Sequence, residues 1–352
     1  MTDTETGTST PRRPAPESAD SDREHRAEMA ASGMILAHWA RVKGDKPAII
    51  APSGDRTFAE LNANANRLAR ALRRRGLADG DAVGLICGNR AEFAEAIAAA
   101  QRAGLRLTPI NWHLTGDEAA YILDDCEAKA LIADASLADV AVGAAAAAPR
   151  CSVRLAVGGP IEGFEDYDGA LAAEGGSDLT DPVLGRTMLY TSGTTGRPKG
   201  VNRPPVARGA TPSATGTTGR YRWDADELHL CTGPLYHAAP LAISLSTPLL
   251  FGVGVVLMER WDAEEALRLI DRHRITHTHM VPTMFHRLLS LPDDVKAKYD
   301  VSSLRYVVHG AAPCPVAVKR GLIEWLGPVV YEYYAATEGG GTFVDSETWM
   351  AH

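Results

Sequence analysis

Aromatic residues are scarce, at 6% of 352 positions, and there are only five cysteines. Long apolar runs are missing as well: the longest lies near Pro248–Met258, far short of the roughly 20 residues a membrane-spanning helix needs. Positive charge is in deficit, because 36 basic against 44 acidic residues give a net charge of −8. A broad surface for nucleic acid backbone or anionic lipid is therefore not expected. Cys87, Cys126, Cys151, Cys231 and Cys314 are scattered and contain no C-x-x-C pair. Neither a disulfide framework nor a zinc knuckle is indicated, and a reducing, cytoplasmic setting is expected.

The remainder of the composition, 45% hydrophobic and 23% charged, is ordinary globular usage. At roughly 150 residues per domain, the length suits about two domains or one large α/β domain. Residues 1–27, rich in Thr, Ser, Pro, Asp, Glu and Arg, lack the apolar core of a secretory signal and read as a disordered polar tail. Residues 28–352 are expected to form the folded unit.

Helical and strand signals then alternate, which predicts a sheet with crossover helices. Thr57-x-x-Glu60 and Thr115-x-x-Glu118 are capping boxes, and Leu61, Ala65, Leu68 and Leu72 recur at helical spacing until Gly76. Asp262-x-x-Glu265 opens another helix, and Pro282 starts one after an apolar strand over 276–281. The segments 81–87, 130–133, 187–190 and 304–308 also read as strands. The stretch 158–182 is turn-rich and expected to be exposed, without visible chemistry.

The most informative segment is Tyr190-Thr191-Ser192-Gly193-Thr194-Thr195-Gly196-Arg197-Pro198-Lys199-Gly200-Val201. Its glycines let backbone N–H groups converge, its hydroxyls add donors and Lys199 adds a positive charge, a set suited to a polyphosphate. It is not the G-x-x-x-x-G-K-[S/T] loop, because no Gly-Lys falls at the required offset. A second Gly-Thr-Thr-Gly-Arg string, residues 216–220, lacks both the preceding strand and the following Pro-Lys-Gly, and is expected to be a loop without this role.

The Tyr190–Val201 segment resembles, without a gap, the signature loop of the adenylate-forming superfamily of acyl-CoA synthetases, firefly-type luciferases and peptide-synthetase adenylation domains. The resemblance implies the large N-terminal domain of an acyl-CoA synthetase-like enzyme, an α/β fold of mixed and parallel sheets flanked by helices. It implies that Thr191, Ser192, Gly193, Thr194, Thr195, Gly196 and Lys199 hold the phosphates of ATP, with Lys199, Thr194 and Glu338 catalytic.

Two further segments agree in order. Tyr334-Ala335-Ala336-Thr337-Glu338 resembles the family's adenine and magnesium motif, with Ala335 where the family mostly has glycine. Tyr334 and Ala335 would meet adenine, Thr337 the α-phosphate, and Thr191 and Glu338 the magnesium ion, which prefers hard oxygen donors. Gly310-Ala311-Ala312 resembles the small-residue turn against the other face of adenine. His237, within Gly233-Pro234-Leu235-Tyr236-His237, resembles the residue at the acyl pocket, and His309 is the second candidate for substrate contact. His277 and His279 share one strand face, but no third ligand of carboxylate or cysteine type is near in sequence, which argues against a metal site.

The implied reaction joins a carboxylic acid to AMP and then to coenzyme A, using ATP and Mg2+. The apolar stretch 238–246 carries no acidic residue to meet an amino group. That favours an acid with an uncharged tail: fatty, aryl or steroid-side-chain. Partners beyond the small-molecule acid and coenzyme A are not indicated, although a homo-oligomer is compatible. The family's later motifs should follow Gly341, whereas the sequence stops at His352. The alternative expectation is accordingly a nucleotide-binding remnant without full turnover.

Overall fold

The computed structural model describes residues 19–191, 197–202, 223–224, 226–336 and 339–352. In chain order the strands are β1 (Pro47–Ile50), β2 (Arg56–Thr57), β3 (Ala82–Ile86), β4 (Arg106–Pro109), β5 (Ala128–Asp134), β6 (Val153–Val157), β7 (Glu165–Asp166) and β8 (Arg186–Thr187). They continue as β9 (Leu189–Thr191), β10 (Lys199–Val201), β11 (Leu228–Cys231), β12 (Gly254–Leu257), β13 (His277–Met280), β14 (Tyr306–His309), β15 (Val330–Ala336) and β16 (Gly339–Val344).

These strands form two sheets and a hairpin. One sheet has the order β7-β6-β5-β3-β4-β8, with parallel pairs throughout. The other has the order β16-β15-β14-β13-β11-β12-β1-β2, parallel inside and antiparallel at both edges. The expected mixed and parallel sheets with flanking helices are therefore what the chain forms.

The helix ends follow from the sequence. Thr57 and Thr115 each accept a hydrogen bond from the backbone N–H of the glutamate three residues on, and each glutamate bonds back. These reciprocal bonds satisfy two of the orphan donors at each start. Gly76 takes φ +89, the left-handed conformation that ends the helix Phe58–Arg74. The apolar stripe of that helix, Leu61, Ala65, Leu68 and Leu72, enters a core shared by both sheets through Ile49, Val255, Val83 and Leu107. A separate cluster on the far side of the mixed sheet gathers Met280, Phe285, Val307 and Leu322.

The structure differs from expectation in two places. The stretch expected to be a tail is helical from Ala19 to Ala31. Arg26 pairs with Asp22 one turn back and lies 6.0 Å from the Trp39 ring, so the turn gains tertiary partners that composition does not reveal. Residues 1–18 fall outside the described residues. The 158–182 segment also carries more than turns. Tyr167 is buried there with its hydroxyl donating to Glu95 at 2.7 Å, and Asp178 accepts from Asn62 and Asn66. A few buried anchors fix a segment whose average composition is that of a loop.

Candidate nucleotide and acid site

The phosphate-type segment lies between the two strands of a hairpin. β9 and β10 pair antiparallel with Thr191 directly opposite Lys199, so the segment between them leaves and returns at those two side chains. Cross-strand neighbours stand about 5 Å apart, which places a hydroxyl and an exposed ammonium side by side at its base. Tyr190 ties the hairpin to the helix Gly116–Asp125 by donating to the Asp125 carboxylate. Arg197 adds a cation–π contact to Tyr121 on that helix, 5.2 Å from the ring centre. Of the expected phosphate residues, Ser192, Gly193, Thr194, Thr195 and Gly196 lie outside the described residues, as do Thr337 and Glu338. Thr191 is partly exposed, and with a glutamate carboxylate it would make the hard oxygen set magnesium takes.

At the carboxyl edge of the mixed sheet, β14 is followed by Gly310-Ala311-Ala312. A β-carbon on Gly310 would come within 2.5 Å of the Tyr333 ring, so only glycine fits under it. Ala311 takes φ +67, a left-handed conformation costly for a residue with a β-carbon. Tyr333 lies buried and its hydroxyl shares a 3.0 Å hydrogen bond with His279 Nε2. Burial pushes the Tyr333 phenol up to about 12; burial, with the nearby His309, pushes His279 down to about 4. Tyr334, one residue on, points the other way and is 82% exposed, leaving a flat ring open at the edge. Ala335 stands opposite Gly341, where an added β-carbon would lie 3.1 Å from the Ala335 methyl. Ala335 has no left-handed φ. The departure from glycine is therefore matched by a glycine across the strand pair.

His237 follows a turn beyond β11, and its ring lies 4.5 Å from that of Tyr236. Tyr236 meets Trp112 edge-on at 6.0 Å, and Trp112 packs on His113 at 3.7 Å. Trp112 and His113 lie beyond β4 of the other sheet, so the carboxyl ends of both sheets converge here, where open α/β folds bind ligands. His237 keeps solvent access, yet surrounding protein, with His113 second, lowers its pKa.

The structure does not bring His309 to this face. It lies on the opposite side of the mixed sheet, edge-on to Phe285 at 5.1 Å and 3.9 Å from Glu332. Burial lowers its pKa to about 4, outweighing the Glu332 carboxylate, so the ring is neutral. Lys319, fully buried, pairs with Glu332 at 2.6 Å. His277 stacks between Trp223 at 4.3 Å and Tyr306 at 4.8 Å.

Several residues of this face were not singled out from sequence: Tyr333, Trp223, Trp112 and Asn89. The aromatic alternation Tyr331, Tyr333 in β15, beside His277, His279 in β13, was the available signal. A 330 Å³ groove lined by Asp81, Arg106, Lys129 and Arg150 lies at the amino ends of β3, β4 and β5. Its Lys129 pairs with Asp81 and its Arg150 with Asp124, so most of its charge is already matched.

The two sheets and the hairpin form an α/β domain of parallel and mixed sheets flanked by helices. The chain belongs to the AMP-binding enzyme family, whose model matches residues 36–351. It is 31% identical over 314 residues to the indoleacetate–CoA ligase of Aromatoleum aromaticum, covering 87% of this chain and 60% of that protein. It is 33% identical over 325 residues to the long-chain-fatty-acid–CoA ligase FadD13 of Mycobacterium tuberculosis, covering 90% and 62%. The inhibitor-bound N-terminal domain of FACL13 from Mycobacterium tuberculosis superposes with a TM-score of 0.78 at 27% identity, covering 91% of this chain and 80% of that one. The chain thus spans about three fifths of the length of these curated relatives. No helix among the described residues is long and apolar enough to cross a membrane.

Proposed function

We propose that this chain binds ATP and a carboxylic acid and joins them as an acyl-adenylate, the step that precedes thioester formation with coenzyme A. The observation that carries this reading is the Thr191–Lys199 pair at the base of the glycine and hydroxyl segment, in a chain of the AMP-binding family. The acid's carboxylate attacks the α-phosphorus, an acyl–oxygen–phosphorus anhydride forms, and pyrophosphate leaves. Two anions must approach, so a fixed cation and convergent donors lower the barrier by positioning and charge. Lys199 supplies the cation, and Thr191, Ser192, Thr194 and Thr195 supply hydroxyls. Magnesium, held by Thr191 and Glu338, would neutralise phosphate charge. Gly310, Ala311, Ala312, Tyr334 and Ala335 seat adenine, Thr337 meets the α-phosphate, and His237 stands at the acid.

The acid has an uncharged tail, because residues 238–246 present no charged side chain. Relatives named for indoleacetate and for long-chain fatty acids are consistent with either an aryl or an aliphatic tail. Isotope exchange between pyrophosphate and ATP across a panel of aryl, fatty and steroid-side-chain acids tests the reading. Acid-dependent exchange is expected, lost in Lys199→Ala and kept in Arg220→Ala. A chain that neither exchanges nor binds ATP overturns it.

A further inference from the structure

Asn89 sits past the carboxyl end of β3, in one sheet, yet all of its hydrogen bonds cross to the other. Its side chain is buried, and its Nδ2 donates to the carbonyls of Gly233 and Met258, both at 2.9 Å. Its Oδ1 accepts from the backbone N–H of Leu235 at 3.0 Å. Two carbonyls and one N–H set the orientation of the amide, since the reversed group would face each with the wrong partner. The groups it holds lie 144 to 169 residues away along the chain.

Two of the three bonded groups belong to the turn that carries His237. Gly233 and Leu235 precede His237, whose N–H in turn bonds the Pro234 carbonyl at 3.1 Å. Met258 follows the neighbouring strand β12, and its N–H bonds the Cys231 carbonyl at 3.1 Å. Gly233 packs closely on Pro240, where a β-carbon added to the glycine would stand 2.8 Å from the proline ring. A single amide thus clamps the turn at the seam where the sheets converge, two residues before the imidazole. Buried polar groups left unpaired are costly, so the turn stays where the amide satisfies it.

We propose that Asn89 is a positioning residue for acid activation, fixing the Gly233–His237 turn so that His237 stands at the acid's carboxylate. This rests on the acyl-adenylate reading above. Positioning errors of about 1 Å near a reacting centre cost up to about a hundredfold in rate, so a device holding one turn from across the domain has a measurable share. The nucleotide hairpin is held separately, by Tyr190 and Asp125. Asn89 therefore acts on the acid side and not on ATP.

A double-mutant cycle in the full chain tests this, with pyrophosphate exchange as the readout. Asn89→Ser is expected to raise the KM for the acid at least about tenfold while changing the KM for ATP by less than about twofold. In a His237→Ala background the same change is expected to add less than about twofold. Equal effects on both substrates, or full additivity with His237→Ala, overturn the proposal. If Asn89→Ser does not fold, Asn89→Asp keeps the volume and the acceptor for Leu235 but repels the two carbonyls, and the same split is expected. The His237 ring resonances in the free protein give a ligand-independent reading. They move in the Asn89 variant while those of His286 stay, and an unmoved His237 overturns the proposal even if exchange is normal. A wild-type chain that exchanges with no acid instead overturns the acyl-adenylate reading, and the His237 spectrum then decides Asn89's role on its own.

Discussion

The ring of Tyr333 lies against Gly310 so closely that a β-carbon on the glycine would stand 2.5 Å from the tyrosine Cζ. Gly310→Ala must therefore push the ring away and strain or break the 3.0 Å hydrogen bond to His279. A loss of about 1–3 kcal/mol is expected, the usual cost of overpacking. Tyr333→Phe keeps the ring and removes only the hydroxyl, for about 1 kcal/mol. Urea unfolding of both variants checks the order, and an alanine variant as stable as the wild type would show that the ring yields freely.

The buried histidines make stability depend on acidity. His279 and His309 are held near pH 4, and His229 well below its ordinary value, mainly because burial disfavours the charged ring. The unfolded chain takes up these protons near pH 6.5, before the folded chain does. Unfolding is thus favoured as pH falls from about 6.5 towards 4, and these groups contribute no slope above that window. Each costs about 1.4 kcal/mol per pH unit within it. Urea midpoints at several pH values should show His279→Gln with a shallower acid slope than the wild type; parallel slopes would mean that His279 already carries its proton when folded.

Lys319 and Glu332 form an ion pair whose lysine end has no solvent access. Lys319→Met leaves the carboxylate without its partner, and a loss of about 3 kcal/mol is expected, the low end for a buried pair because Glu332 keeps some exposure. Adding Glu332→Leu should recover much of it. His309 reports the same event: with the Lys319 charge gone, the Glu332 carboxylate acts unopposed and the histidine pKa rises. Nuclear magnetic resonance titration of the ring reads the direction, and a further fall would contradict the placement of these charges.

Thr57→Ala and Thr115→Ala each remove a reciprocal cap, with an expected cost of about 1 kcal/mol apiece. The two caps start separate helices, so the double variant should lose the sum. Thermal unfolding compares them.

Much of this protein was legible in the sequence because the signals are local. A threonine with a glutamate three residues on specifies a helix start through bonds within one turn, and Thr57 and Thr115 do so as expected. The apolar stripe of Phe58–Arg74 and the proline opening the helix Pro282–Leu289 are of the same kind. The strand, glycine and Pro-Lys-Gly order around Thr191 likewise pointed to the family, while the return of Lys199–Val201 as a second strand paired with Leu189–Thr191 came only from the structure. Which side of a strand a residue faces is only half local. Period two assigns His277 and His279 to one face, but nothing in the sequence says whether that face or the one bearing His309 looks toward His237.

Only the tertiary structure decided that question, and it set His309 among the helices with Phe285, Glu332 and Lys319. It also decided that Gly310 serves the Tyr333 ring, that Gly341 makes room for Ala335, and that Asn89 bonds a turn in the other sheet. The physical reason is common to all three. Each depends on atoms brought into contact by strand pairing and sheet packing: Gly341 meets Ala335 only through the register of β15 on β16, and the Asn89 contacts span 144 to 169 residues. The sequence by itself determined where helices and strands begin and which chemistry they could host; sheet packing determined which side chains share a site.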